Sequence, residues 1–299
     1  MKKIIKAPAK INLCLKVNKK REDGYHDLTM IMQAISLFDT IECDIFKDNK
    51  FCSGSNDQID LKCNYNYLPT DSKNLIYKVV KYIYDRYNIS DRISINLKKM
   101  IPTSGGLGGG SSDAASMLLF LNRHYKLNLS VDELSEIASM FGSDIPFFIY
   151  KKECICKGRG EIVTEISPFS NYYVLLATPN VRVSTKEIFL KFDSFDILEA
   201  RRQLEDIAFN NCVDAIKKKD LKLLCNNLFN NLEIVTESMF SDVSLFKEKM
   251  LKLGALASLM SGSGPTVFGI FNSYLKALNC KNQIKKEHGD AFVFLTRPL

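Results

Sequence analysis

Apolar positions along the chain follow two periods, which predict a mixture of strands and helices. Residues 10–17 alternate between apolar and mainly polar side chains, as in a strand with one buried face, and this places Lys10 and Asn12 together on the opposite face. Residues 75–88 carry apolar side chains at every third or fourth position, which predicts an amphipathic helix. Further strands are predicted at about 28–46, 58–65, 93–98, 153–157, 162–166, 172–177, 266–271 and 291–295.

Further helices are predicted directly after residue 113, near 131–141 and repeatedly between 185 and 253. Strands and helices therefore alternate irregularly, which favours an α+β or mixed α/β architecture. A change of domain near residues 150–170 fits this order of elements.

Composition and charge restrict the class of protein without identifying a function. The 299 residues are 46% hydrophobic and 25% charged, as in a globular protein. No apolar run approaches the roughly 20 residues that span a bilayer, and the first residues lack the apolar centre of a secretory signal. Nine cysteines without a CxxC pair argue against a disulfide framework or a structural zinc site. We therefore expect a cytoplasmic protein that does not bind membranes.

The glycine-rich segment at residues 102–113, PTSGGLGGGSSD, is the strongest chemical signal. Five glycines in six positions allow backbone amides to turn toward a ligand, and the helix that follows adds unpaired amides and the positive end of its dipole. Together these features predict a phosphate-binding loop. The hydroxyls of Ser111 and Ser112 could add hydrogen bonds or bind magnesium carried by the nucleotide. A flexible connector is the alternative interpretation.

Two familiar phosphate-binding motifs are excluded. A P-loop requires a lysine after its glycines, and none follows here. The dinucleotide fingerprint requires a βαβ unit with an acidic residue about 20 positions later, which the following sequence does not match.

Three other features are weak when each is taken alone. The segment SGSGPT at 261–266 could be a tight turn between a helix and a strand. Asp144 could cap a helix that begins at Ile145-Pro146. Lys10 could be an ordinary surface charge, and the net charge of +7 would suit RNA as well as a small anion.

Taken together, the motifs resemble the GHMP kinase superfamily, which includes galactokinase, homoserine kinase and mevalonate kinase. PAKIN at 8–12, GLGGGSSDAA at 106–115 and SGSGPT at 261–266 occur in the expected order and span nearly the whole chain. The resemblance implies a two-lobed α/β (α+β) fold with a substrate cleft between the lobes. An ATP-binding lobe of the kind found in ribosomal and translation-factor proteins would cover residues 1–155, and a ferredoxin-like lobe would cover 156–299.

Further segments narrow the resemblance. KAPAKINL at 6–13, REDGYH at 21–26 and GSDIP at 142–146 are similar to the superfamily members of the non-mevalonate isoprenoid pathway. Those members use ATP to phosphorylate the 2-hydroxyl of 4-diphosphocytidyl-2-C-methyl-D-erythritol. The chain departs from the usual pattern at Thr103 and Ser104, where small residues or glycine are common.

The resemblance also implies roles for individual residues. Lys10 and Asp144 would be catalytic, because an aspartate can accept the hydroxyl proton while an ammonium keeps it ionised and stabilises the alkoxide. The residues implied for ATP are Pro102, Gly105, Gly106, Leu107, Gly108, Gly109, Gly110, Ser111 and Ser112, with Asn74, Leu75 and Lys99 for adenosine. The residues implied for the substrate are Asn12, Tyr25, His26, Thr185 and Phe189. The rings of Tyr25 and Phe189 would stack on the cytosine, and His26 would recognise its polar edge.

Magnesium is expected with the nucleotide, with Ser112 as a candidate ligand, and the partner is a small molecule rather than a nucleic acid. The protein is expected to be a monomer or a homodimer. Two alternatives stay open: a related kinase acting on homoserine or a mevalonate-like alcohol, and a non-catalytic nucleotide or RNA binder. The presence of both Lys10 and Asp144 argues against the latter.

Overall fold

A computed structural model of the chain describes residues 2–47, 58–195 and 199–299. Within these ranges, eleven strands and ten helices follow one another. In chain order they are β1 (Lys3–Lys20), β2 (His26–Phe46), β3 (Ile59–Cys63), α1 (Leu75–Arg86), β4 (Arg92–Lys98), α2 (Gly109–His124), α3 (Val131–Ser139), α4 (Ile145–Tyr150), β5 (Cys154–Gly158), β6 (Ile162–Glu165), β7 (Tyr173–Thr178), α5 (Thr185–Phe192), α6 (Glu199–Lys218), α7 (Leu221–Cys225), β8 (Phe229–Asn230), α8 (Glu233–Met239), α9 (Ser241–Lys252), β9 (Ala257–Met260), β10 (Val267–Phe271), α10 (Tyr274–Glu287) and β11 (Phe292–Thr296).

The chain folds into two compact units, each assembled from several segments. The first unit comprises Met1–Ala9, Leu37–Ile101 and Gly109–Tyr150, and the second comprises Lys10–Ser36, Pro102–Gly108 and Lys151–Leu299. Strands β1 and β2 contribute residues to both. The predicted lobe boundary between residues 155 and 156 stays a prediction.

The first unit combines a sheet with helices α1 to α4. The carboxyl-terminal half of β2 pairs antiparallel with β4, and β4 pairs in parallel with β3. Helix α1 forms where the apolar period predicts it and buries Ile76, Val79, Val80, Ile83 and Tyr84. It begins after Asn74, whose side-chain oxygen accepts a hydrogen bond from the backbone of Ile76 at 2.9 Å.

The second unit contains a four-stranded antiparallel sheet in the order β11-β7-β10-β9. When the four strands are numbered by their order in the chain, they lie side by side as 4-1-3-2. Helices α9 and α10 pack on this sheet. This is the ferredoxin-like arrangement, and it confirms the predicted fold class. The central strands β7 and β10 are buried almost throughout, which matches their continuous apolar sequences.

The second unit also holds the hairpin made by the turn between β1 and β2. The first half of β2 pairs antiparallel with β5, and β1 pairs in parallel with the short strand β8. Cys154 and Cys156 of β5 are buried. Among the described residues every cysteine is a free thiol, and Cys52 lies outside them.

Two elements were not predicted. Strand β8 has only two residues, too few to show a period. Helix α10 buries only the small or medium side chains Ala277, Cys280 and Ile284, while the larger Tyr274 and Leu275 are exposed. Such a narrow apolar stripe gives a weak periodic signal. Within the described part of the chain, no helix combines the length and the apolar character that a membrane crossing requires.

Two glycine turns approach each other closely in the second unit. Gly106 has a φ of +75°, and a Cβ atom at this position would lie 2.0 Å from the carbonyl oxygen of Ser261. On the other side of the contact, Gly262 and Gly264 also have positive φ values, of +59° and +81°. Any side chain at Gly106 would therefore meet backbone that has little freedom to move.

We expect Gly106→Ala to lower the free energy of unfolding by ~2–4 kcal/mol, because it adds both left-handed strain and a steric clash. Gly110→Ala is the matched control, since the nearest heavy atom to its Cβ would be Leu75 Cδ1 at 3.9 Å. That change should leave stability unchanged or raise it by up to ~1 kcal/mol. Urea unfolding followed by circular dichroism measures both, and equal stability of the two variants would contradict the close contact.

Candidate active site

Lys10 lies on β1 beside Asn12, as the alternation of residues predicts. Its ammonium donates a hydrogen bond to Asn12 Oδ1 at 2.5 Å, and both residues are buried. The backbone amide of Lys10 donates to the carbonyl of Leu107 at 3.0 Å, which joins β1 to the glycine-rich loop. A Cβ at Gly262 would lie 3.3 Å from the Lys10 Nζ. The ammonium is therefore placed between its own strand and the second glycine turn.

Ser261 connects all three motifs of this unit. Its hydroxyl donates to the carbonyl of Gly106 at 2.9 Å and accepts from the backbone amide of Asn12 at 3.3 Å. Thr185, a predicted substrate residue, shares a 2.8 Å hydrogen bond with Ser263 of the same turn. The first motif, residues 102–108 of the loop and the SGSGPT turn thus form one polar cluster.

The glycine-rich loop adopts left-handed backbone conformations that suit glycine. Gly106 and Gly108 have φ values of +75° and +69°, and Ser104 has a φ of +54°. This conformation is unfavourable for a residue with a Cβ atom, which gives a physical reason for small residues or glycine near this point. Ser104 nevertheless adopts it.

The loop continues into helix α2, which begins at Gly109 in the first unit. Ser112 is buried in the first turns of this helix, and its hydroxyl has no hydrogen-bond partner among the described residues. An unpaired hydroxyl fits a ligand of a magnesium ion that the nucleotide carries. Within the described ranges, no group of three His, Cys, Asp or Glu side chains forms a metal site.

Asp144 also lies in the first unit, directly before helix α4. It is half-buried, and no donor from the described residues reaches its carboxylate. The helix-cap interpretation therefore has no hydrogen bond to support it in this part of the structure. Lys10 and Asp144 belong to different units, and their joint catalytic role stays a prediction.

The three residues predicted for adenosine have different surroundings. Asn74 uses both side-chain atoms within the protein, accepting from Ile76 and donating to the carbonyl of Pro69 at 2.8 Å. Leu75 is half-exposed at the start of α1. Lys99 is buried, and its ammonium contacts two carboxylates. A direct contact between Lys99 and adenosine would therefore compete with existing ion pairs.

Lys99 lies between Asp39 and Asp113, and its Nζ is 2.7 Å from Asp113 Oδ2. Burial opposes the charged ammonium, but the two carboxylates outweigh it and raise the pKa of Lys99 above the usual lysine value. Burial raises the pKa of Asp113 to about 7, although Lys99 acts in the opposite direction. Whenever Asp113 is ionised, one ammonium and two carboxylates leave a surplus negative charge in a buried place.

Tyr25 is the exposed aromatic of the predicted base site, with 58% of its surface accessible. It follows Gly24, whose φ of +82° closes the turn between β1 and β2. The guanidinium of Arg159 lies 4.9 Å from the centroid of the Tyr25 ring. A cation on one ring face stabilises the position of the tyrosine.

His26 and Phe189 contact each other directly. Their rings stack at 5.3 Å between centroids, and His26 Nε2 lies 2.6 Å from Asp193 Oδ1. Partial burial tends to raise the pKa of Asp193, but hydrogen bonds from Lys20 and His26 outweigh it and lower the pKa. Because an ionised carboxylate can only accept, the proton in the His26–Asp193 hydrogen bond belongs to Nε2.

Several residues of these clusters were not predicted from the sequence. Asp193 follows Phe189 by four positions, a helical spacing that could have indicated a shared face. Asp113 is the last residue of the glycine-rich segment, but no role was predicted for it. Asp39 and Arg159 have no local signal, because their partners lie far away in the chain.

Family models match two regions of the chain. The model of the GHMP kinases N terminal domain matches residues 74–152, and the model of the GHMP kinases C terminal domain matches residues 212–291. The two regions together account for more than half of the chain.

Solved structures share the fold. A crystal structure of 4-(cytidine 5'-diphospho)-2C-methyl-D-erythritol kinase is 26% identical, with a TM-score of 0.77 and full coverage of both chains. A homoserine kinase from Cytophaga hutchinsonii has a TM-score of 0.79 at 17% identity, covers 100% of this chain and 94% of its own, and supports the fold alone.

Curated relatives match at higher identity. A 4-diphosphocytidyl-2-C-methyl-D-erythritol kinase from Clostridium botulinum (strain Eklund 17B / Type B) is 40% identical, and the match covers 98% of this chain and 99% of the relative. An enzyme of the same name from Macrococcus caseolyticus (strain JCSC5402) is 40% identical over 93% of this chain and 94% of its own length. The chain belongs to the 4-diphosphocytidyl-2-C-methyl-D-erythritol kinase family of the GHMP kinases.

Proposed function

We propose that the protein transfers the γ-phosphoryl group of ATP to the 2-hydroxyl of 4-diphosphocytidyl-2-C-methyl-D-erythritol in the non-mevalonate isoprenoid pathway. The observation that carries this proposal is the buried Lys10–Asn12 pair, in contact with the glycine-rich loop and the second glycine turn. Relatives of 40% identity over nearly the whole chain carry the name of this activity.

Lys10 supplies positive charge where the substrate hydroxyl becomes an alkoxide. A buried ammonium acts more strongly than an exposed one, because little water screens it. Asn12 holds the ammonium through its carbonyl oxygen, and its amide nitrogen donates to Met30 Sδ at 3.4 Å. The second amide hydrogen is then the donor for the methylerythritol end of the substrate. Asp144 accepts the proton of the hydroxyl, an assignment that rests on its place in the GSDIP motif.

ATP binds with its phosphates on the amides of residues 102–112 and the start of α2. Positive φ values in this loop and an unpaired helix terminus are the features that bind phosphate elsewhere. The unpaired Ser112 hydroxyl would hold a magnesium ion carried by the nucleotide, and that ion would supply positive charge to the phosphates. Leu75 and Asn74 border the adenosine.

The cytosine binds at the turn between β1 and β2. Tyr25 offers an exposed ring that Arg159 supports from one face, so a base can stack on the tyrosine. Asp193 accepts a hydrogen bond from His26 Nε2, which fixes the ring and leaves Nδ1 to meet the polar edge of cytosine. Thr185 and Phe189 lie on α5, and Phe189 supports the site by stacking on His26.

A coupled ADP-release assay tests the proposed function. The protein should release ADP from ATP in the presence of 4-diphosphocytidyl-2-C-methyl-D-erythritol, and not with homoserine or mevalonate. Turnover of either simple alcohol at a comparable kcat/KM would contradict the substrate assignment. ATP or RNA binding without turnover of any alcohol would favour the non-catalytic alternative.

Tyr25→Ala in the same assay separates recognition of the base from chemistry. A stacking contact contributes ~1–3 kcal/mol, so its loss should raise the KM for the cytidylyl substrate by about 5- to 150-fold and leave the KM for ATP unchanged. Tyr274→Ala, which removes another half-exposed tyrosine, is the control and should behave as the parent. An unchanged KM in Tyr25→Ala would exclude a base-stacking role.

Asp144→Asn tests the assigned base. We expect kcat to fall by about 10²-fold or more, because the amide cannot accept the hydroxyl proton, while the KM for ATP stays the same. Asp132→Asn, an exposed carboxylate in the first turn of α3, is the matched control in the same unit. Full turnover in Asp144→Asn would disprove the assignment.

A further inference from the structure

Three buried charged side chains of the first unit have no role in the proposed chemistry. Asp39 belongs to β2, Lys99 follows the last residue of β4, and Asp113 lies in the first turns of α2. Their side chains are 0%, 4% and 3% exposed. They therefore link the interior of β2 and the end of β4 to the helix that the glycine-rich loop enters. We call these residues the charged triad.

The triad fixes the position of its lysine from several directions. Asp39 Oδ2 contacts the Lys99 ammonium, while Asp39 Oδ1 accepts from the backbone amides of Met100 at 2.5 Å and Ile101 at 2.9 Å. The backbone of Lys99 is held as well. Its amide donates to Asn64 Oδ1 at 2.7 Å, and its carbonyl accepts from Asn64 Nδ2 at 3.2 Å.

The Lys99 ammonium lies against the beginning of α2. It is 2.7 Å from Asp113 Oδ2, and a Cβ at Gly109 would lie 3.0 Å from Nζ and 3.1 Å from Ile101 Cγ2. Gly109 is the first residue of the helix. The triad thus contacts α2 at the residue that joins it to the loop and again one turn later.

Stability alone is a poor explanation for this cluster. The free-energy cost of desolvating buried charges offsets most of the gain from their mutual attraction. Well-packed apolar side chains of similar volume often give the same stability. Whenever Asp113 is ionised, the triad also carries a surplus negative charge, and Asp113 Oδ1 has no hydrogen-bond partner among the described residues. What charged groups do provide is directional contact, which fixes one arrangement of the groups they join.

We propose that Asp39, Lys99 and Asp113 are positioning residues for the nucleotide, which hold the first turns of α2 and thereby the end of the phosphate-binding loop in the conformation that binds a triphosphate. Lys99 then acts through Asp113 and Gly109, and not by touching adenosine. This inference rests on one part of the proposed function, namely that the glycine-rich loop binds ATP.

The test measures the affinity for a fluorescent ATP analogue and, separately, for the matching GTP analogue. Asp113→Asn is the principal variant, because it keeps the shape of the side chain, removes the surplus negative charge and should fold. Lys99→Met is the second variant. Lys98→Met is the matched control, since Lys98 is its neighbour, is 53% exposed and pairs with Glu42 outside the triad.

We expect Asp113→Asn and Lys99→Met to weaken both nucleotides by about 10-fold or more, since small misplacements of a binding group have effects of this size. The ratio of ATP to GTP affinity should stay the same, because the phosphates are affected and the base is not. The KM for the cytidylyl substrate and the affinities of Lys98→Met should be unchanged within about twofold.

Two results would overturn the inference. One is a folded Asp113→Asn variant that binds both nucleotides as tightly as the parent. The other is a Lys99→Met variant that changes the ratio of ATP to GTP affinity while Asp113→Asn does not, which would show a direct contact with the base. Because binding is measured without the second substrate, failure of the proposed kinase activity would appear separately, as absent ADP release in the parent protein.

Discussion

The backbone of Gly106 lies so close to the carbonyl of Ser261 that a Cβ atom would come within 2.0 Å of its oxygen. This contact joins two segments that are more than 150 positions apart in the sequence. Since Ser261 also accepts from Asn12, and Gly262 lies against the Lys10 ammonium, the same contact places the central part of β1 that carries Lys10. The glycines are therefore needed for close packing of backbone as well as for binding phosphate, and the position of Lys10 depends on both.

Buried charges and hydrogen bonds then fix the orientation of the side chains that this backbone carries. In the second unit, Asp193 holds the proton of His26 while Phe189 stacks on its ring, so α5 supports a histidine near the exposed Tyr25. In the first unit, Lys99 lies between Asp39 and Asp113 at the start of α2. Both clusters use hydrogen bonds to carboxylates for orientation, a directional role that apolar groups cannot fill.

Local patterns in the sequence predicted the parts of this structure that local geometry decides. Alternation along β1 placed Lys10 beside Asn12, and the glycine loop does lead directly into a helix, at Gly109. The predicted family and fold class are confirmed. Helix α10 was not predicted, because its buried stripe consists of three modest side chains.

Tertiary partners could not be predicted in this way. Asp39 reaches Lys99 across 60 positions, and no period in either segment indicates the other. Adenosine as the partner of Lys99, and a base stacked between Tyr25 and Phe189, were implied by the family resemblance and stay predictions. The contact of Phe189 with His26 joins segments that spacing alone cannot relate.

The kinetics of Lys10→Met test the central claim that the two glycine turns hold this ammonium for catalysis. Methionine keeps most of the side-chain volume and removes the charge. We predict that kcat for the cytidylyl substrate falls by about 10²- to 10³-fold, as when another preorganised charge-stabilising group is removed, while both KM values and the thermal midpoint stay near those of the parent. A kcat within about threefold of the parent would contradict the account, because chemistry would then proceed without the charge that the fold places there.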